Sequence, residues 1–199
     1  MARVDAIAEG VAAALEGAEV EDEKGKAFHR ILRGKRNGIA IQVKVWHSNS
    51  LSGWVVEVPV KGPPILFSIH RDDERIVIEC APNAFESRMV DDELRKLFRN
   101  GPEIAVVADD GKIKGGDDGR IQYEASDVIE TIDCVLAVKK RIEAIDLDVD
   151  GAEEIAILRA DREKVWKRAS WPARILMIVL GTIFVVAMLA GLRYGCLPS

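Results

Sequence analysis

Asp146, Asp148 and Asp150 alternate along the chain and run into Gly151. Carboxylates at that spacing, behind a helical stripe, are how a calcium-wrapping loop begins. The twelfth position of such a loop supplies a bidentate Glu, and here it is Ile157. Glu153 and Glu154 fall too early to close the ring. With about two of six or more oxygens missing, the stretch is expected to be an acidic linker with a calcium affinity weaker than about 10⁻⁴ M. His29, His47 and His70 lie on or beside strand-like segments, and none has a partner at H-x-x-x-H spacing. No metal or other cofactor is therefore expected. G-x-S-x-G, P-loop and G-x-G-x-x-G patterns are absent from the sequence. Gly115, Gly116 and Gly119 surround Asp117 and Asp118, which would repel phosphate, so a hairpin turn is the expectation there.

Cys80, Cys134 and Cys196 are odd in number and widely spaced. They match neither a disulfide framework nor a zinc pattern. The first two are expected as small buried apolar residues in a reducing compartment. Arg30, Arg33, Lys35 and Arg36 form a basic cluster at a turn. Such a cluster is either solvated or, facing a membrane, gains about 1 kcal/mol per cation from anionic lipid.

Charge and hydropathy set the wider frame. Ile175 to Leu192 runs without a charge and is fenced by Arg174 and Arg193. As a helix it would be about 27 Å long, close to the hydrocarbon thickness of a bilayer. Trp171 and Tyr194 stand at its ends, where aromatic rings favour the headgroup level. Lys164, Lys167, Arg168 and Arg174 crowd its N-terminal flank, against Arg193 alone on the other. The expectation is one C-terminal membrane anchor, with these residues at the interface and the N-terminal head in the cytoplasm. Asp5 and Glu9 interrupt the apolar character of the stretch from Met1 to Val20, which argues against a secretory signal. All 33 acidic residues precede Arg174, as do 26 of the 28 basic ones. An acidic head argues against non-specific nucleic-acid binding, which depends on neutralising phosphates. Ala187, Gly191 and Gly195, four apart, would suit a weak homodimer through the span.

The elements of the head follow from periodicity. Val4, Ile7, Ala8, Val11, Ala12 and Leu15 make one stripe of a helix, with Gly17 as its stop and residues 21–26 as a charged connector. From Ala27 the period becomes two. Residues 27–33, 39–46, 54–60, 65–70 and 75–80 read as strands, the first two joined by Asn37-Gly38. Pro59 is expected at an edge or a bulge. Residues 87–100 read as one helix capped by Ser87. Three short strands follow at 103–108, 112–114 and 120–124. Asp127 then caps a long helix carrying Val128, Ile132, Val135, Val138, Ile142 and Ile145. Residues 152–170 form a further helix, either a stalk or an interfacial helix.

Short connections point to an antiparallel sheet. The fold class is α+β, with helices packed on one face of the sheet and one C-terminal transmembrane helix. The expected segments are 1–26 for helix and connector, 27–150 for the α+β head, 151–174 for the juxtamembrane helix, 175–192 for the span, and 193–199 for the tail. A strand-rich core closed by one long helix is similar to pleckstrin-homology-like and helix-grip folds, although the helix at 87–100 departs from the former. The turn Gly34-Lys35-Arg36-Asn37-Gly38, the strand after it and Ile175 to Leu192 resemble uncharacterised bacterial single-pass membrane proteins with a small α+β domain. That resemblance implies no activity. The leading functional expectation is a tail-anchored binding or scaffold module holding a protein or lipid partner by the sheet or the basic hairpin. The alternatives are a subunit of a larger membrane complex, and an enzyme whose site gathers Asp, Glu and His in the fold.

Overall fold

The computed structural model describes residues 2–22, 29–47, 52–72, 75–101, 104–109, 111–120, 122–146 and 151–161. Met1–Ile155 forms one compact unit, divided from Ala156–Ser199. In chain order the elements are α1 (Ala2–Ala13), β1 (Glu16–Asp22), β2 (His29–Arg36), β3 (Ile39–His47), β4 (Ser52–Pro59), β5 (Leu66–Asp72), β6 (Arg75–Ala81), α2 (Glu86–Met89), α3 (Asp92–Asn100), β7 (Ala105–Asp109), β8 (Lys112–Arg120) and α4 (Ala125–Glu143). The strands form one sheet in the order β1-β2-β3-β4-β8-β7-β5-β6, and every pairing is antiparallel. The molecule is thus α+β, an antiparallel sheet with helices.

Register is set at the tightest turn. Asn37 (φ 55°) and Gly38 (φ 75°) both adopt the left-handed conformation that a two-residue hairpin of matching twist requires. From there β2 and β3 pair without interruption, from Arg36↔Ile39 to His29↔Trp46. Alternation then sends Leu32, Ile41, Val43, Val45, Trp54, Val56 and Val58 to one face, where all are buried. Burying each such side chain contributes about 1.5–3 kcal/mol before entropy is counted. That face packs under α1, through Val4, Ile7, Ala8 and Val11, and under α4, through Val128, Ile132, Val135, Val138 and Ile142. Trp54 sits at the centre. Its indole N–H donates to Thr131 Oγ at 2.9 Å, and the Thr131 hydroxyl donates to the Asp127 carbonyl at 2.7 Å. The indole also lies 4.8 Å, centroid to centroid, from the ring of Tyr123, whose hydroxyl donates to the Trp46 carbonyl.

Five local expectations are corrected. Glu21 and Asp22 do not belong to a connector, and Gly17 does not stop the helix, which ends at Ala13; all three lie in one strand. It is β1, entered through a bulge between Glu16 and Glu19, with Gly17 at φ 60°. Its acids are accommodated because β1 lies at the sheet edge. Pro59 is on the central strand β4, but as its last residue, where its missing N–H removes no ladder bond beyond the strand end. The helix expected at 87–100 is two helices. Val90 is extended, and Asp91, not Ser87, caps the second by accepting the Leu94 N–H at 2.7 Å. The glycine loop expected at 115–119 is the middle of β8. A Cβ on Gly115 would come within 2.5 Å of Val135 Cγ2, so the glycine is where α4 approaches the sheet closely. At α4 itself, Glu124 is the N-cap and Asp127 its reciprocal partner in a capping box.

Among the described residues no helix is long and apolar enough to cross a membrane. Ile175 to Leu192 lies outside them, as do the interface candidates Lys164, Lys167, Arg168, Trp171, Arg174 and Tyr194 and the loop residues 147–150. Residues 152–161 are helical.

Candidate functional site

The four cations of the hairpin share one strand, so alternation divides them between two faces. Arg30 is buried on the helix side. Its guanidinium reaches Asp5 of α1 at 2.7 Å and Asp22 of β1 at 3.1 Å. Arg36, on the same side, pairs with both carboxylate oxygens of Asp133 on α4, at 2.9 and 3.0 Å. These two arginines fasten α1, β1 and α4 to the sheet. Arg33 and Lys35 emerge on the opposite face and are exposed. There Arg33 donates to Glu21 of β1 at 2.6 Å and to Gln42 of β3 at 3.3 Å.

Register extends this outer face across the sheet. Gln42 stands opposite Glu57, and Glu57 opposite Lys114. Lys112 Nζ donates to Glu57 at 2.8 Å, and Lys114 Nζ lies 3.5 Å from its other oxygen. The Lys112 hydrogen bond, and then both ammonium charges, outweigh desolvation and hold the Glu57 carboxyl below its ordinary range. It is therefore ionised at neutral pH. Two shallow hollows meet at Arg33, Gly34 and Ala40. One, about 480 Å³, is bounded by Glu16, Glu19 and Lys35, and the other, about 240 Å³, by Gln42, Glu57 and Lys112. The surface offers paired charges of both signs at fixed spacing, which is chemistry for recognition through ion pairs and hydrogen bonds.

Lys112, Lys114 and Glu57 do not stand out in the sequence beside the hairpin. The signal that points to them is the period-two polar set Gln42, Lys44 and Glu57, which marks the polar face of an antiparallel sheet.

A further hollow, about 610 Å³, runs between α3 and α4. Leu97, Cys134 and Ala137 line it among Glu93, Lys96, Glu130, Asp133 and Arg141. Burial, reinforced by the charges of Asp133 and Glu130, pushes the Cys134 thiol up to about 12, so it is protonated at neutral pH. Cys80 is likewise buried and pushed up to about 12, by burial and then by Glu86 and Glu154.

The three histidines are dispersed. His29 stacks on its cross-strand partner Trp46 with centroids 6.1 Å apart, His47 hydrogen-bonds Ser52, and His70 stands opposite Val77 and Ala105 on β5. Among the described residues no three of His, Cys, Asp and Glu converge on a point where a metal would sit.

No family model matches this sequence, and no curated protein does. Among solved structures, the chain is similar to the crystal structure of the mycobacterial trehalose monomycolate transport factor A, TtfA. The TM-score is 0.53 at 9% identity, covering 74% of this chain and 98% of that one. At that identity the likeness concerns the fold, an antiparallel sheet with helices in an α+β arrangement.

Proposed function

We propose that this protein is a membrane-tethered binding module, anchored by Ile175 to Leu192, with its head on the cytoplasmic side. Its contact surface is the outer face of β2, β3, β4 and β8 around Arg33 and Lys35. The observation that carries this reading is the division of the hairpin cations. Arg30 and Arg36 are consumed by the fold, while Arg33 and Lys35 stand exposed on the opposite face beside Lys112 and Lys114. Charged groups held by strands, not by loops, present a fixed pattern to a partner. The basic flank before Arg174 supports the orientation. The likeness to a trehalose monomycolate transport factor contributes the fold only.

The test is affinity capture from detergent-solubilised membranes with the full-length chain and with an Arg33→Glu/Lys35→Glu variant. The reading expects protein or lipid recovered by the wild type to be lost from the variant. Equal recovery by both would remove the outer face from the proposal. A second reading, a subunit of a larger membrane complex, is favoured by the hollow between α3 and α4. Its apolar floor within a charged rim has the anatomy of a protein contact.

A further inference from the structure

The two outermost strands of the sheet treat their open edges differently. β1 carries Glu16, Glu19, Glu21 and Asp22, all exposed, and is bulged between Glu16 and Glu19. Like charges and a bulge are devices that keep an edge from recruiting another strand. From Arg75 to Glu79, β6 has no proline, no glycine and no lysine. Its register against β5 runs unbroken from Asp72↔Arg75 to Leu66↔Ala81. Ile76, Val77 and Ile78 fill its middle and are only half-buried. Among the described residues no strand lies beyond it. Cys80 and Ala81 are buried, so the accessible length is Arg75–Glu79.

We infer that this edge pairs with the same edge of a second copy of the chain, antiparallel about a two-fold axis at Val77. The sequence Arg75-Ile76-Val77-Ile78-Glu79 is complementary to itself in that register. Val77 meets its own copy, Ile76 meets Ile78, and Arg75 meets Glu79 on both sides of the axis. Side chains directly opposite in an antiparallel pair share a face, so opposite charges there favour the register and like charges oppose it. A slip by one residue would set the helix-side Ile76 and Ile78 against outer-face positions. A slip by two leaves Arg75 opposite Val77 or Ala81. Ser68 holds the Glu79 carboxylate through a 3.0 Å hydrogen bond, which fixes it on the outer face of the strand. The two-fold arrangement also closes. Pairing β6 with β1 of another copy would instead leave open edges and propagate, and it would set Glu79 against the acids of β1. Two copies joined at β6 share one continuous sheet and present two outer faces at a fixed spacing.

The test uses the full-length chain, in detergent where it fractionates with membranes. Sedimentation velocity across a concentration series is expected to show a monomer–dimer equilibrium. Arg75→Glu sets like charges opposite each other twice and is expected to raise the dissociation constant by at least about tenfold. Glu79→Arg is expected to do the same, and the double exchange Arg75→Glu/Glu79→Arg to recover the dimer. Independently, Val77→Cys in a Cys196→Ser background places two thiols across the axis. Opposed Cα atoms there are about 4.5–5.5 Å apart, within disulfide range. This variant should crosslink to a covalent dimer under mild oxidation, and Val55→Cys, on the outer face of the central strand β4, should not. Monomer at every concentration overturns the inference, as does crosslinking at Val77→Cys no faster than at Val55→Cys. So does a folded double exchange, verified by circular dichroism, that stays as weak as the single variants. If the double exchange does not fold, the Val77→Cys comparison alone decides.

Discussion

Asp91 accepts the Leu94 N–H and two hydrogen bonds from Arg141, at 2.7 and 2.8 Å, so one carboxylate both starts α3 and ties it to α4. The Arg141 hydrogen bond, and then the backbone N–H, hold its carboxyl below the ordinary range. The linked stability is therefore present above the unfolded-state pKa, about 4, and is lost as pH falls through the lower folded-state value. Asp91→Ala is expected to lower unfolding free energy by about 1–2 kcal/mol at pH 7, mostly the missing cap. Asp91→Asn should lower it less, since an amide oxygen still caps. Urea denaturation at pH 7 and pH 3 checks both, and the gap between wild type and Asp91→Asn should narrow at the lower pH. The buried thiols act at the opposite end of the scale. Cys80 and Cys134 rise from an ordinary 9.0 to about 12. Between those values the unfolded chain has already released protons that the folded chain retains, so stability falls as pH rises. The denaturant midpoint should decline more steeply from pH 9 to 11 than from 7 to 8, and Cys134→Ala should flatten that decline.

At the scale of elements, Gly115 decides how closely α4 lies on the sheet. An added Cβ would stand 2.5 Å from Val135 Cγ2 and 3.0 Å from Val106 Cγ2. Neither is the end of a flexible side chain, so α4 or β8 must shift. Gly115→Ala is expected to cost about 1–3 kcal/mol, the range for overpacking a filled core, measured by urea unfolding. The same glycine explains a limit of sequence reading. A glycine pair followed by aspartates looks like a loop, because the contact that selects Gly115 comes from Val135, on the element that follows β8 in the chain. β1 is obscured for a related reason, since its acids match a connector and only its edge position tolerates them in a strand. Elements specified by local signals are legible: the β2–β3 hairpin through Asn37-Gly38, and α4 through its stripe of buried Val and Ile. The break at Val90 is not, because it depends on Asp91 meeting Arg141, which is distant in sequence.

For the whole molecule, the hairpin cations were visible in the sequence but their division was not. Which of Arg30, Arg33, Lys35 and Arg36 face the helices depends on the phase of alternation relative to a helix layer assembled from both ends of the chain. The chain beyond Asp161 poses the remaining question at this scale. Leu, Ile, Val and Phe make up most of Ile175 to Leu192. At about −0.3 to −0.6 kcal/mol each, they favour insertion by about 3–6 kcal/mol before position is considered. The unit Met1–Ile155 encloses its own core, with Trp54, Phe67, Phe85 and Phe98 fully buried. Among its described residues the exposed large apolar side chain is Val20, while the exposed Ile157 belongs to the unit that follows. The proposed membrane anchoring is therefore expected to reside in the C-terminal segment alone. Full-length protein should sediment with membranes through high salt and carbonate and be released by detergent. Deletion of residues 172–199 should leave a folded protein in the supernatant, with a cooperative urea transition. A truncated protein that still sediments with the membranes, or a full-length protein soluble without detergent, would overturn the anchor.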